Sequence, residues 1–335
     1  MFIDFEVNLG DYFRFILGGK DKIFIVTVFL QEGKMKKRLI ATLLTSVILM
    51  TTACAKNTNV FNPEDNTAEE LYGDESSRGL TPDPDAEITI TAYKVGKADA
   101  FLLETPGHRV VIDTATDKKG NKILEKLDEE GIDTIDELII THFDKDHVGG
   151  ADALIKNKTI GKVYTTYLSK DSDDITEYYR ALKEKGYKDY IVKDVFSFKE
   201  DGVVYTIYPP KTTNYKSSVS NNSSLSILVQ CGDKSMLFTG DAEEERINEL
   251  IATEGIECDI IKMPHHGRFK KNLNEFIDYI KPEYAIITAG KSEHEDPEVV
   301  EMLDSKGIKT YITRDGKVTI TINSDGITID QKTSN

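Results

Sequence analysis

The run His142-Phe143-Asp144-Lys145-Asp146-His147 constrains this chain more than any other feature of its sequence. It follows Leu138-Ile139-Ile140-Thr141, which predicts a buried strand, so His142 emerges at the carboxyl end of that strand. Val148-Gly149-Gly150 comes next, and we expect its glycines to permit a tight turn into a helix. Four side chains of metal-ligand type thus share one short loop, where carboxylates and imidazoles would crowd together unless cations bound among them.

The histidines are clustered along the chain. Only six occur in 335 residues. Five of them form three groups: His142 with His147, His265 with His266, and His294 alone. The sixth, His108, follows Pro106-Gly107 and is predicted to lie in a hairpin turn. The chemistry of the chain is therefore expected where the three groups meet.

Composition indicates a globular protein that repels other anions. The chain is 39% hydrophobic and 30% charged, with a formal net charge of −16. This charge works against non-specific attraction to nucleic acid or anionic lipid, so a nucleic-acid substrate must be held locally, through metal ions. Cys54, Cys231 and Cys258 contain no Cys-x-x-Cys pair, which argues against a disulfide framework or a Cys-rich zinc site. We expect Cys231 and Cys258 to be buried thiols.

A targeting signal precedes the globular part. Met35-Lys36-Lys37-Arg38 is a basic start, the twelve residues 39–50 are too few to span a bilayer, and small residues lead to Cys54. Residues 35–53 are therefore predicted to be a signal peptide. Thr51-Thr52-Ala53-Cys54 resembles a bacterial lipobox, which implies lipidation of Cys54 and attachment to the extracellular face of the cell membrane.

The segments on either side of this signal are interpreted separately. We predict that residues 1–34 are an untranslated or non-native extension, with translation beginning at Met35; the alternative is a genuine hydrophobic leader containing residues 24–30. Residues 54–86 are rich in Asn, Asp, Glu, Ser, Pro and Thr, which predicts a disordered linker. A single domain is expected over residues 87–331.

Short β-branched runs and amphipathic segments alternate after Glu87. This order predicts an α/β (α+β) fold in which two mixed sheets pack together with helices outside, a four-layer αβ/βα sandwich.

The metal-ligand loop resembles that of the metallo-β-lactamase superfamily, His-x-His-x-Asp-His, and in particular the ComEC-type competence branch, where Asp replaces the second His. Further blocks of residues 88–329 resemble the family in order: Val95 to Ala100, Ile112 to Ala115, Asn221 to Leu225, Phe238 to Ala242, Lys262 to Gly267 and His294 to Val299. The resemblance implies the metallo-β-lactamase fold. Departures include Lys97-Ala98 for Gln-Gly, Ala115 for Gly, Arg268 for Ser, and Glu295 and Asp296 in the last block. We expect these departures to affect the substrate more than the metals.

The resemblance also implies a ligand set for two divalent metal ions, zinc or manganese. It assigns His142 and Asp144 to one ion, and Asp146, His147 and His294 to the other, with Asp241 bridging. His265 or His266 completes or borders the first site, and we favour His266. A hydroxide shared by the two ions is the expected nucleophile. Asp144 in place of an imidazole shifts the preference toward manganese.

Other residues of these blocks have predicted roles in the reaction or the scaffold. Asp146 is expected to be catalytic as well as a ligand. Lys262, Asn222 and Ser224 are candidates for holding an anionic substrate or its developing charge; alternatively Asn222 and Ser224 cap turns and Lys262 is a surface charge. Asp99 and Asp113 are expected to organise the loop.

Together these features predict a metallo-hydrolase, a phosphodiesterase or nuclease-like enzyme acting on a small-molecule phosphodiester or on nucleic acid. One alternative is a hydrolase of small esters, lactones or phosphorylated compounds. Another is a non-catalytic, metal-free surface lipoprotein that binds a partner. The sequence leaves the oligomeric state open.

Overall fold

The computed structural model describes residues 2–8, 12–19, 22–29, 68–73 and 79–333. The chain divides into two units, Met1–Asn62 and Pro63–Asn335. In the first unit, β1 (Phe2–Asn8), β2 (Tyr12–Gly19) and β3 (Lys22–Phe29) form an antiparallel sheet. The predicted signal peptide and Cys54 lie outside the described residues, so both remain predictions. Among the helices of the described residues, none has the length and apolar character needed to cross a membrane.

The first sheet of the second unit has nine strands in the order β19-β18-β5-β6-β7-β8-β9-β10-β4. Its strands are β4 (Glu69–Leu71), β5 (Ile88–Ala92), β6 (Ala100–Glu104), β7 (Arg109–Thr114), β8 (Thr134–Ile140), β9 (Thr159–Thr165), β10 (Asp189–Val192), β18 (Gly316–Asn323) and β19 (Gly326–Thr333). Pairing is antiparallel from β19 through β7 and parallel from β7 through β4.

The second sheet has seven strands in sequence order. They are β11 (Phe196–Glu200), β12 (Val203–Tyr208), β13 (Ser226–Cys231), β14 (Lys234–Phe238), β15 (Ile260–Lys262), β16 (Tyr284–Ile287) and β17 (Lys309–Ile312). Strands β11 to β14 are antiparallel, and β14 to β17 are parallel. The carboxyl ends of β14, β15 and β16 therefore meet at one edge.

Helices cover the outer faces of the two sheets. They are α1 (Asp117–Glu129), α2 (Lys145–Val148), α3 (Ala151–Asn157), α4 (Asp173–Lys185), α5 (Val219–Asn222), α6 (Glu244–Ile251), α7 (Leu273–Ile280) and α8 (Pro297–Ser305). One apolar core lies between the sheets, where Phe101 of β6 meets Phe238 of β14 edge to face. A second joins Leu237 of β14 to Phe276 of α7 and Leu303 of α8. The predicted mixed fold with two sheets and flanking helices is confirmed.

Residue patterns explain which strands have one buried face and which have two. In β18, Val318, Ile320 and Ile322 are fully buried while Thr319 and Thr321 are partly exposed, the period of two expected of a strand with one covered face. In β8, Leu138 to Ile140 are all buried, because parallel strands are covered on both faces. Cys231 and Cys258 are buried free thiols, as predicted.

Part of the predicted disordered linker is ordered. Glu69–Leu71 forms β4 and pairs in parallel with Tyr190–Val192 of β10, and Leu71 packs against the core. Lys193 lies 3.1 Å from Glu70. Backbone pairing, one apolar contact and an ion pair thus order a segment whose average composition predicts disorder, a local effect that composition does not reveal.

Candidate metal centre

The candidate centre lies where the carboxyl ends of strands from both sheets meet. His142 follows β8, Asp241 follows β14, and His266 follows β15. The turn Pro264–Gly267 aims its imidazoles by an unusual backbone path, with φ of 44° at His265 and 56° at His266. Positive φ is uncommon for residues other than glycine, so the turn stores strain at the site.

Histidines and carboxylates converge on Asp241. His147 Nε2 lies 3.2 Å from Asp241 Oδ1, and His266 Nε2 lies 3.2 Å from Asp241 Oδ2. His266 Nε2 is also 3.5 Å from Asp146 Oδ2. Four groups of the described residues each offer three ligand atoms within 4.8 Å of one another, and two of these groups are His142 with His147 and Asp241, and Asp146 with His147 and His266. The two oxygens of Asp241 thus face different histidines, the arrangement expected of a bridging carboxylate.

The imidazoles have the free nitrogen that a metal ligand requires. Nε2 of His142, His147 and His266 is buried and makes no hydrogen bond among the described residues. Buried polar atoms are rarely left unpaired in native proteins. Because these three atoms lie among carboxylate oxygens, the residues present fit divalent cations.

The other ring nitrogen of each histidine is held by a hydrogen bond. His147 Nδ1 lies 2.7 Å from Asp113 Oδ2, and His266 Nδ1 lies 2.9 Å from Thr288 Oγ1. His142 Nδ1 is 3.2 Å from Thr141 Oγ1. A proton on each Nδ1 leaves the lone pair on Nε2.

Asp99 and Asp113 hold the surroundings of the centre. Asp113 accepts hydrogen bonds from the amide and the hydroxyl of Thr141, and Asp99 accepts one from Thr288 Oγ1 at 2.6 Å. Asp99 and Asp113 also lie close enough to His147 to form a ligand group. Because Asp113 already accepts hydrogen bonds from Thr141 and lies against His147 Nδ1, we assign it the role predicted from the sequence, that of organising the loop.

The electrostatics of the centre favour positive charge. Burial lowers the pKa of His147, but Asp241, Asp113 and Asp99 outweigh burial and hold it well above its usual value. Burial also lowers the pKa of His266, but the nearby carboxylates, Asp241 first among them, outweigh burial and raise this pKa to about 10. Burial, reinforced by His147, lowers the pKa of His142 to about 3. An imidazolium or a metal ion can neutralise these carboxylates, and the lowered pKa of His142 keeps its imidazole neutral at pH 7.

Asp144 and His265 border this cluster. Asp144 Oδ2 lies 3.8 Å from His142 Nε2, while Lys170 and Ser220 both contact Asp144 Oδ1. His265 Nε2 is 3.7 Å from Asp241 Oδ2, and its Nδ1 is 2.9 Å from Glu243 Oε1. Asp144 thus turns one oxygen toward His142, and His265 stands at the edge of the centre.

His294 is not part of the cluster. Its side chain is exposed, and it belongs to none of the ligand groups among the described residues. His266 has the position that the sequence assigned to His294, beside Asp146 and His147, rather than the predicted position in the first site. Spacing along the chain did not distinguish the two histidines, because the decisive contact depends on the reversed backbone at Pro264–Gly267.

The residues predicted to hold substrate are buried, and their polar atoms contact other groups of the protein. Lys262 is 1% exposed, and its Nζ lies 2.5 Å from Asp99 Oδ2. Asn222 Oδ1 accepts hydrogen bonds from the backbone amides of Glu243 and Arg246 at the start of α6. Ser224 Oγ accepts the amide of Asp241 at 3.0 Å. The structure therefore favours the capping alternative for Asn222. The alternative that Lys262 is a surface charge is wrong, because Lys262 is buried between Asp99 and Asp241. Ser224 supports the backbone of Asp241.

Sequence reasoning missed several residues of the site. They are Lys170, Ser220, Glu243, Arg246 and Thr288. Each contacts a residue of the centre or of its supporting loops. Only Thr288 has a usable cue, because it follows β16 at the edge where β14 and β15 also end.

The profile of the metallo-beta-lactamase superfamily matches residues 93–291. The chain belongs to this superfamily. The match covers the Asp146, Asp241 and His266 positions. It confirms the resemblance drawn from the loop motif.

Curated relatives of this superfamily member are competence and recombination proteins. ComE operon protein 3 of Bacillus subtilis is 29% identical over 254 residues, which is 68% of this chain and 32% of that protein. Competence protein ComA of Neisseria gonorrhoeae is 24% identical over 236 residues, 69% of this chain and 31% of that protein. The chain spans about a third of the length of these two relatives.

Among solved structures, the chain is similar to the metallo-beta-lactamase fold protein YhfI from Bacillus subtilis. It is 11% identical, with a TM-score of 0.46, and the match covers 73% of this chain and 100% of that one.

Proposed function

We propose that this chain is a metal-dependent phosphodiesterase whose centre holds two divalent cations. The observation that carries the proposal is a set of three buried imidazole Nε2 atoms around the Asp241 carboxylate, none of which makes a hydrogen bond within the described part of the chain. The proposed ligands are His142, Asp144, Asp146, His147, Asp241 and His266.

The ligands divide into two sets that share Asp241. His142 and Asp144 serve one position, and Asp146, His147 and His266 serve the other. When bound, a pair of divalent cations supplies stabilisation of developing negative charge and a nucleophile at neutral pH. The protein fixes the ligands, since Asp113 and Thr288 hold the Nδ1 atoms and burial excludes bulk water from the imidazoles.

The donor set favours a hard cation. Asp144, Asp146 and Asp241 are three carboxylates among six ligands, and carboxylates suit manganese better than an imidazole-rich site does. We therefore propose manganese, with zinc as the competing ion.

Nucleic acid is the phosphodiester that the relatives support. One is named competence protein ComA, and another, of Haemophilus influenzae, is named Recombination protein 2. The net charge of −16 repels a polyanion at long range. Binding must therefore depend on the centre and its immediate rim.

Hydrolysis of bis-p-nitrophenyl phosphate by the purified full chain tests the proposal. We expect bound metal by elemental analysis, cleavage stimulated by manganese, and loss of both in Asp146→Ala. Activity confined to carboxyl esters, or a chain without metal and without activity, would overturn the proposal. Lys122→Gln, an exposed change on α1, is the matched control.

We further propose that the mature chain is tethered by lipid at Cys54 to the extracellular face of the cell membrane. The support is the sequence pattern of residues 35–54. Membrane fractionation of the wild type and of Cys54→Ser tests it, since only the wild type should remain with the membrane. The mass of the native amino terminus tests translation from Met35 in the same preparation.

A further inference from the structure

Lys97 places an ammonium group beside the proposed metal positions. Its Nζ lies 3.6 Å from Asp146 Oδ2. That same oxygen lies 3.5 Å from His266 Nε2, so it faces the converging ligand atoms. The Lys97 side chain is 19% exposed, which leaves it within reach of a molecule in solvent.

The backbone around Lys97 is fixed against the metal-ligand loop. The amide of Asp99 donates to the carbonyl of Asp146 at 3.1 Å, and the amide of Ala115 donates to the carbonyl of Asp99 at 2.7 Å. On the other side, Gly290 packs against the backbone of Lys97, since a Cβ added to Gly290 would lie 3.1 Å from the backbone nitrogen of Lys97. The base of Lys97 is thus fixed, although its four-carbon side chain retains freedom.

Two other lysines pair with ligand carboxylates in the described part of the chain, and they differ from Lys97. Lys262 is 1% exposed and lies between Asp99 and Asp241. Lys170 contacts Asp144 Oδ1, whereas the other oxygen of Asp144 faces His142. Lys97 combines a partly exposed side chain with contact to an oxygen that faces the ligand cluster.

We infer that Lys97 binds an anionic oxygen of the substrate and makes the centre select phosphodiesters over neutral esters. The inference rests on the proposed function and names its specificity residue. A lysine ammonium binds phosphate as a compact positive charge. The ComEC-type pattern has a neutral Gln at this position, so Lys97 adds a charge at the rim of an otherwise acidic chain.

Lys97→Gln tests this inference, because it removes the charge and restores the residue of the resembled pattern. With manganese supplied, we expect the KM for bis-p-nitrophenyl phosphate to rise about tenfold, the effect of losing one charge-assisted hydrogen bond. Lys97→Arg should restore most of the affinity, and Lys122→Gln should behave as the wild type.

A binding measurement separates this inference from catalysis. Calorimetric titration with anionic dimethyl phosphate and neutral trimethyl phosphate measures the preference directly, with metal content checked in each variant. We expect Lys97→Gln to lose affinity for the anion alone. Wild-type binding of dimethyl phosphate that depends on Lys97, without any phosphodiester cleavage, would sustain the inference and overturn the proposed function. Cleavage with KM and anion affinity unchanged in Lys97→Gln, or no anion preference in the wild type, would overturn the inference.

Discussion

His147 Nδ1 and Asp113 Oδ2 lie 2.7 Å apart, and both side chains are fully buried. The contact fixes the ring of His147 and places its proton on Nδ1, so that Nε2 faces Asp241 at 3.2 Å. A carboxylate behind a ligand histidine also raises the basicity of the ring. The strength of metal binding at His147 should therefore depend on Asp113, which is not itself a proposed ligand.

Asp113→Asn is predicted to weaken metal binding by about 10- to 100-fold, the range for loss of such a partner. Competition with a chromophoric chelator measures the affinity. The matched control is Asp136→Asn, because Asp136 also accepts a backbone amide, that of Arg109, but at the start of β7. Equal affinities in both variants and the wild type would show that Asp113 has no such role.

His266 and His294 are predicted to differ sharply in metal binding. His266→Ala should remove the ligand atom that lies 3.2 Å from Asp241 Oδ2 and lower the metal content of the purified chain. His294→Ala should retain the wild-type content, since His294 is exposed and outside the ligand groups of the described residues. Elemental analysis checks both. Loss of metal in His294→Ala alone would restore the ligand set expected from the sequence.

The contrast between these histidines shows what the sequence could predict. The sequence predicts that the loop from His142 to His147 follows a buried strand, and it follows β8, because strand and loop are adjacent in the chain, where periodicity is informative. His266 and His294 come from separate segments, and their positions depend on tertiary contacts. The positive-φ turn at His265 and His266 and the packing of Gly267 against Glu295 fix where the two histidine side chains lie. Neither feature produces a periodic pattern in the sequence.

The two glycines after the loop show a similar limit. The sequence predicts a tight turn into a helix, and Gly149 and Gly150 do form a turn between α2 and α3, with negative φ of −58° and −91° that residues other than glycine also adopt. Their importance is steric, because a Cβ on Gly150 would lie 2.4 Å from the Cα of Gly120 in α1. The local sequence indicates why glycine is tolerated here. It does not show that glycine is required, because that requirement comes from α1, which packs against Gly150.

Arg246 is predicted to stabilise the scaffold behind the centre. Its guanidinium is buried and donates to the carbonyls of Ser224 and Tyr208 and to Glu249 Oε2 at 3.1, 2.7 and 2.8 Å. A lysine cannot reproduce these three directions. Arg246→Lys should lower the free energy of unfolding by about 3 kcal/mol, near the lower end for breaking a buried pair.

Urea denaturation of the full chain measures that change. Arg180→Lys, an exposed substitution on α4, is the matched control and should leave the midpoint unchanged. Ser224 also supports Asp241 through the amide contact, so metal affinity should fall with stability in Arg246→Lys. A wild-type midpoint in this variant would rule out the role assigned to Arg246.

Asp189 makes the stability of the domain depend on pH. It begins β10, and its Oδ2 accepts long hydrogen bonds from Tyr178 and Thr165 at 3.3 and 3.5 Å, while its Oδ1 has no hydrogen-bond partner among the described residues. Burial raises the pKa of Asp189 to about 6. In the unfolded chain the pKa of an aspartate is about 3.9, so the folded state binds a proton more tightly.

The sign of the effect follows from that difference. Ionised Asp189 destabilises the fold above about pH 6, and the penalty disappears as the pH falls toward 4. Asp189→Asn should therefore exceed the wild type in stability at pH 8, by up to about 3 kcal/mol from two pKa units, and approach it at pH 4.5. Urea midpoints at both pH values measure how the difference in stability between Asp189→Asn and the wild type shrinks, with exposed Asp171→Asn as the control. A parallel pH response in Asp189→Asn and the wild type would contradict the prediction, because both chains keep every other titrating group.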